Sequence, residues 1–220
     1  MIESMAAQRA RVLVAIDGPD AAGKTTLADD LADHLSLPCL RASIDGFHQP
    51  REVRARRGVL SPEGYFRDSF DCAELRSQLL TPFRSGGKTV RTRVFDWRGD
   101  APVEQVPVTV PERAVLVFDG VFLLRPELRE LWDLSVYLRV PSSIVLERAL
   151  IRDVGVLGSP DEVRRRYEAR YLPGQALYQS ECDPERHAEL VVDNSDFLSP
   201  VVVTQRSSTT HGLRLGDTEG

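Results

Sequence analysis

The segment Gly18-Pro19-Asp20-Ala21-Ala22-Gly23-Lys24-Thr25 limits what this chain can fold into more than any other. It is a complete G-x-x-x-x-G-K-[ST] loop, in which glycines let the backbone curl so that successive N–H groups point at one anion. In such a loop the lysine, here Lys24, reaches the β- and γ-phosphates of a nucleoside triphosphate, and the hydroxyl, here Thr25, ligates Mg²⁺. The arrangement works only between a strand and a helix. Residues 11–17 form a short apolar run and residues 25–35 carry apolar side chains at helical spacing, so the required order is present. The expectation is an α/β chain that cradles phosphate through Gly18, Asp20, Ala21, Ala22, Gly23, Lys24, Thr25 and Thr26. The only other lysine, Lys88, lies in Gly86-Gly87-Lys88-Thr89. Pro82 stands where that stretch would need its first glycine, so it reads as a polar turn before a strand.

With 220 residues, 42% hydrophobic and 28% charged, the chain suits one globular domain with a substantial core. A net charge of −5 gives no general attraction to nucleic acid or to an anionic membrane surface. Cys39, Cys72 and Cys182 are widely spaced and fit no Cys/His metal pattern, which suits reduced thiols. Residues 1–10 lack the apolar core of a signal peptide and no run is long enough to span a bilayer, so a cytoplasmic protein is expected. A homo-oligomer is left open.

Further along, residues 38–45 read as a second strand ending at Asp45-Gly46, and the Arg-rich stretch 47–61 reads as loop. Residues 62–82 have helical spacing, with Asp71 as an N-cap. Residues 89–97 alternate with period two and 106–110 do so more briefly, which predicts a small antiparallel pair, a flap at the edge of the main sheet. Residues 114–120 and 134–140 are continuous apolar runs, the pattern of parallel strands buried on both faces. A helix is expected over 141–154, a break over 155–160, another helix over 160–178 and a short strand over 189–193. Strands alternating with helices imply a three-layer α/β fold spanning residues 1–203, and the Ser/Thr/Gly-rich residues 204–220 read as a disordered tail.

In an open parallel sheet ligands gather outside the carboxyl ends of the strands, where Asp17, Asp45 and Asp119 fall. Asp45 is the candidate base that takes a proton from an acceptor hydroxyl, although an Asp-Gly turn would also explain it. Asp119 ends a buried run as a magnesium-holding acid does, and a strand-end turn is its plain alternative. Arg148 and Arg152 lie four apart on one helix face and could close over phosphates, or form an ordinary ion-pair face with Glu147 and Asp153. Arg51, Arg54, Arg56 and Arg57 read best as a solvated cluster, with an anion clamp as the alternative. His48, Tyr65, Phe70 and Trp97 could stack on a ring of the acceptor or fill the core. No N-K-x-D guanine motif accompanies the phosphate loop, which argues against a GTPase-like switch.

The opening strand-loop-helix, Ser43-Ile44-Asp45-Gly46-Phe47-His48, Phe70-Asp71, Val94-Phe95-Asp96-Trp97, Val117-Phe118-Asp119-Gly120, 148–153 and 167–178 occur in an order that resembles the uridine kinase family. That family is related to phosphoribulokinase and bacterial pantothenate kinase, and the resemblance covers residues 11–195. It implies a three-layer P-loop kinase with a parallel core sheet, helices on both faces, a β-hairpin flap and a helical lid. It also implies ATP and Mg²⁺ as cofactors and a small-molecule hydroxyl acceptor, most simply the 5′-hydroxyl of a uridine-like nucleoside, without a nucleic-acid or membrane partner. By the same resemblance Asp45 matches the catalytic aspartate, Asp119 the acid after the third core strand, and Arg152 the lid arginine, which with Lys24 completes the catalytic set. The acceptor would meet Asp45, His48, Tyr65 and Trp97, with Asp68 in place of the family's ribose aspartate. The family's base-reading tyrosine and histidine have no counterparts here, since Phe95 and Asp100 stand at or near those places. Pantothenate, a sugar or a modified nucleoside therefore stays open as the acceptor.

Overall fold

The computed structural model describes residues 1–206. Its strands are β1 (Arg11–Asp17), β2 (Cys39–Ser43), β3 (Thr89–Val90), β4 (Phe95–Asp96), β5 (Ala101–Pro102), β6 (Val108–Thr109), β7 (Ala114–Asp119), β8 (Leu134–Arg139), β9 (Leu190–Asp193) and β10 (Val201–Gln205). Six of them form one sheet in the order β2-β7-β1-β8-β9-β10. All neighbours in it are parallel except β9 and β10.

The apolar runs of β1 and β7 are explained by burial on both faces. Leu13 and Ala15 of β1, with Leu116 and Phe118 of β7, enter one core beside Tyr65, Phe66, Leu75, Phe83 and Tyr178. Val12, Val14 and Ile16, with Val115 and Val117, enter the other core beside Ala28, Val145, Ala149 and Tyr167. Alternate residues of a strand point to opposite faces, so a strand sandwiched between helical layers has no polar side to offer. The three-layer α/β architecture follows.

Register brings the acids together. Asp119 is paired with Ile16 of β1 and with Ser43 of β2, so the end of β7 lies beside the start of the phosphate loop and two residues before Asp45.

Several local expectations need correction. The hairpin pieces pair as β3 with β6 and β4 with β5, and neither joins the six-stranded sheet. They dock instead through a hydrogen bond from Val94 N to Gly46 O of 2.8 Å, beside Asp45. A Cβ on Gly46 would lie 2.8 Å from Arg93 Cβ, so glycine there permits the flap to pack closely. Within the expected loop 47–61 lies a short helix, Arg51–Ala55, and the expected break after residue 154 holds one helical turn, Val154–Leu157. Residues 2–8 form a helix that the amino-acid pattern did not suggest, packed on the second core through Ile2 and Ala6. Thr204 and Gln205 belong to β10 rather than to the expected tail, and residues 207–220 of that tail lie outside the described residues. Among the described residues no helix is long and apolar enough to cross a membrane.

Candidate active site

The phosphate loop is held from beneath by buried acid chemistry. Asp17, at the end of β1, is fully buried and accepts hydrogen bonds from Gly18 N at 2.7 Å, from Leu124 N at 3.1 Å and from the Tyr178 hydroxyl. Burial pushes its carboxyl up to about 6, against the pull of the Tyr178 and Gly18 hydrogen bonds. Gly18 has φ of +146° and no room for a side chain, since a Cβ would sit 2.7 Å from Leu138 O. Gly23, at φ +92°, starts the helix Lys24–His34, and a Cβ there would meet Phe197 at 2.6 Å. Ala21 adopts φ of +53°, and Ala22 turns its N–H to Pro19 O at 3.3 Å while its carbonyl accepts from Asn194 Nδ2 at 2.7 Å.

Asp20, expected at the phosphates, has its carboxylate engaged by the Tyr65 hydroxyl at 2.7 Å and by Gln175 at 2.6 Å. Tyr65 is buried and thereby ties the loop to the helix Pro62–Asp68. Lys24 donates to Pro19 O at 2.5 Å, and burial lowers its pKa against the raising charges of Asp20, Asp17 and Asp119.

Thr25 donates its hydroxyl proton to Asp119 Oδ2 at 2.8 Å. Its lone pairs are thereby left for a cation, and hydroxyl plus carboxylate are the hard oxygens that Mg²⁺ takes alongside water and phosphate. The residues present therefore fit the ion. Asp119 Oδ1 accepts from Arg41 Nη2 at 3.0 Å, a β2 partner that an arginine inside a strand did not announce.

Asp45 follows β2 on the 3₁₀ turn Ile44–Phe47 and faces open space, with 66% of its side chain exposed. His48 Nε2 lies 3.5 Å from Asp45 Oδ1, and His48 Nδ1 donates to Ser69 O at 3.1 Å. The protein packed around the cleft partly desolvates the Asp45 carboxyl and pushes it up, but the His48 hydrogen bond and charge, with Lys24 and Arg152, outweigh this and hold the group below the usual range. His48 is wedged between Phe70 and Trp97, with ring centroids 4.5 Å and 5.9 Å away.

Arg152 ends the helix Ser142–Arg152, and its guanidinium is forked onto Asp153 at 2.6 Å and 3.0 Å and touches the Tyr167 hydroxyl at 3.3 Å. The side-chain hydrogen bond to Asp153 raises its pKa. Arg148, one turn earlier, donates to the carbonyls of Asn194 and Ser195, both at 2.9 Å, and stacks 3.5 Å over Phe197.

Two cavities meet here. One, of about 390 Å³, runs along Gly23, Thr26, Arg148 and Phe197. The other, of about 570 Å³, holds Asp45, His48, Tyr65, Trp97 and Asp119. Lys24, Thr25 and Arg152 line both. Asp68 is not on either lining: only 10% exposed, it pairs with Arg57 at 2.8 Å and with Arg56 at 3.9 Å. Arg56 and Arg57 are thus paired outside the cleft, while Arg54, paired with Asp100 at 3.2 Å, lines it.

The model of the phosphoribulokinase/uridine kinase family matches residues 13–172. The chain belongs to that family. Among curated relatives, the uridine kinase of Aliivibrio salmonicida is 26% identical over 202 residues, which covers 82% of this chain and 85% of the relative. A chain described as a possible uridine kinase from Bacillus stearothermophilus superposes with a TM-score of 0.67 at 22% identity, covering 86% of this family member and 96% of that chain. A second solved structure, from Silicibacter sp. TM1040 and provisionally described as a fructose transport system kinase, gives a TM-score of 0.64 at 29% identity, with 77% and 85% covered. The three-layer parallel-sheet architecture is therefore that of P-loop kinases.

Proposed function

We propose that this family member is an ATP-dependent kinase that transfers the γ-phosphate to a hydroxyl of a small molecule. One observation carries the reading: a cavity along the phosphate loop and a cavity around Asp45 share Lys24, Thr25 and Arg152. A triphosphate seated in the first would present its transferable end to the second.

Phosphoryl transfer requires positioning and charge stabilisation more than covalent help. Lys24 and the loop N–H groups hold phosphate oxygens, and Arg152, kept in place by Asp153, offsets charge that spreads over the moving group. Thr25 and Asp119 would hold Mg²⁺, which neutralises β- and γ-oxygens when bound. Asp45 takes the acceptor's proton at its exposed carboxylate. Held below the usual range, it is ionised at neutral pH, and a weak base suffices where the attacking oxygen forms little bond in a loose transition state.

The uridine kinase relatives make a nucleoside 5′-hydroxyl the first acceptor to try, with His48 and Trp97 as rings beside it. A different alcohol is the second reading, favoured because Asp68, expected on ribose hydroxyls, is engaged by Arg57. The test is ADP release with Mg²⁺ and ATP across uridine, cytidine, pantothenate and simple sugars, with mass spectrometry of the product. Acceptor-dependent release with a phosphorylated product supports the kinase, and release independent of every acceptor refutes it.

A further inference from the structure

Arg54, Arg166 and Arg170 bring guanidinium groups to the acceptor cavity, on the lining that also holds His48, Tyr65 and Trp97. They come from two parts of the chain, Arg54 from the short helix Arg51–Ala55 and the others from the helical stretch that starts at Pro160. Arg54 donates Nη2 to Asp100 Oδ1 at 3.2 Å and to Trp97 O at 3.4 Å, while its buried Nε has no partner. Arg166 shares Glu162 with Arg165. Arg170, the most buried, donates Nη1 to the carbonyls of Val59 at 2.8 Å and Ser61 at 3.4 Å and lies 5.5 Å over the Tyr65 ring. Carbonyls orient a guanidinium without cancelling its charge.

Burial lowers the Arg170 pKa; Tyr171 and Tyr65 oppose the change, and the charges of Arg54 and Arg166 add to it. Arg170 thus feels the charge of both neighbours on this lining. The carboxylates on the same lining have other partners: Asp20 takes Tyr65 and Gln175, Asp119 takes Thr25 and Arg41, Asp153 takes Arg152 and Tyr167, and Asp45 lies beside His48. Asp100 answers Arg54 and Glu162 answers Arg166, whereas among the described residues only carbonyls accept hydrogen bonds from Arg170. A guanidinium so placed in a partly desolvated cleft, with like charges nearby, is costly unless an anion answers it, and guanidinium forks suit carboxylate and phosphate.

We propose that the acceptor is an anionic alcohol, a small molecule bearing a phosphate or carboxylate besides the hydroxyl it presents to Asp45, and that Arg170 and Arg54 hold that anion. This rests on the kinase reading and selects a charged acceptor over a neutral nucleoside.

Matched alcohols decide it: glycerol, glycerate and glycerol 3-phosphate; ribose and ribose 5-phosphate; fructose and fructose 6-phosphate; and uridine. The expected result is a kcat/KM about tenfold or more above the neutral partner for a charged member, the size expected of a charge-assisted hydrogen bond. Arg170→Met should raise KM for that acceptor by a similar factor, and Arg170→Lys should recover part of it. The phosphate and carboxylate members separate the two anions. If a neutral alcohol turns over best and Arg170→Met changes its KM less than about twofold, within the scatter of surface substitutions, the anion subsite is wrong and the kinase stands. If no acceptor raises ADP release, the kinase reading fails, and calorimetry of ribose 5-phosphate and glycerate on the MgADP-loaded protein still decides the subsite. Heat lost in Arg170→Met supports it; heat absent or unchanged overturns it. Arg54→Met serves for both measurements if the Arg170 variant does not fold.

Discussion

Replacing Asp17 with Asn should remove a pH dependence built into the base of the phosphate loop. The carboxyl is fully buried and pushed up to about 6, from an ordinary value of 3.8. A difference of two units corresponds to about 3 kcal/mol. The sign follows from linkage: because the folded-state value is raised, the folded form binds the proton more tightly than the unfolded chain. The contribution to stability is full below pH 4 and is lost as pH rises through about 6. Asparagine does not titrate, so the stability of the variant minus that of the wild type should climb by about 2 kcal/mol between pH 4.5 and pH 7. Loss of one acceptor for Gly18 N, Leu124 N or Tyr178 displaces the whole difference curve without changing this climb. Urea unfolding of both proteins at a series of pH values measures it, since the same carboxylates titrate in each and cancel. A flat difference curve would refute the burial argument.

Asp45→Asn should lower kcat by about 10²-fold or more, as loss of a general base does, with the affinity for MgATP retained; unchanged turnover would remove the base assignment. His48→Ala takes away the hydrogen bond and charge that hold the Asp45 carboxyl down, so the acid limb of the kcat/KM profile should move to higher pH. An unmoved limb would separate His48 from the base. Gly120→Ala sets a Cβ 2.5 Å from Ile44 Cγ2 beside the Asp119 carboxylate. Since a β-branched neighbour yields poorly, a loss of about 1–3 kcal/mol in chemical denaturation is expected, and a smaller one would mean that Ile44 can shift.

The buried parallel strands were legible because a strand covered on both faces is apolar at every position. Residues 114–120 and 134–140 announced β7 and β8 to within a residue. Asp71 was equally readable as a cap, and its carboxylate accepts from Glu74 N at 2.9 Å. The flap was harder, since its paired segments are two residues long and period-two alternation is met by chance over so short a stretch. Arginines were the least legible. Arg57 and Arg54 stand three apart, yet one is paired with Asp68 and the other lines the acceptor cavity. Nothing in a run of arginines tells which will be solvated, and Arg170 reaches the Val59 carbonyl, and Arg41 the Val117 carbonyl and Asp119, through contacts distant in the chain. Phe197 and Asn194 were missed for the same reason, as they reach the loop from a turn after β9.

The links from Asp17 to Tyr178, Asp20 to Gln175 and Ala22 to Asn194 span 161, 155 and 172 residues. The loop is thus clamped by side chains that are synthesised more than 150 residues after it. At translation speeds of about 5–20 residues per second, the phosphate cradle must wait on the order of ten to thirty seconds for its final supports. Until then the emerging loop lacks the Tyr178, Gln175 and Asn194 contacts that fix its shape. The clamped form of the loop is reached only once residues 175–194 have emerged.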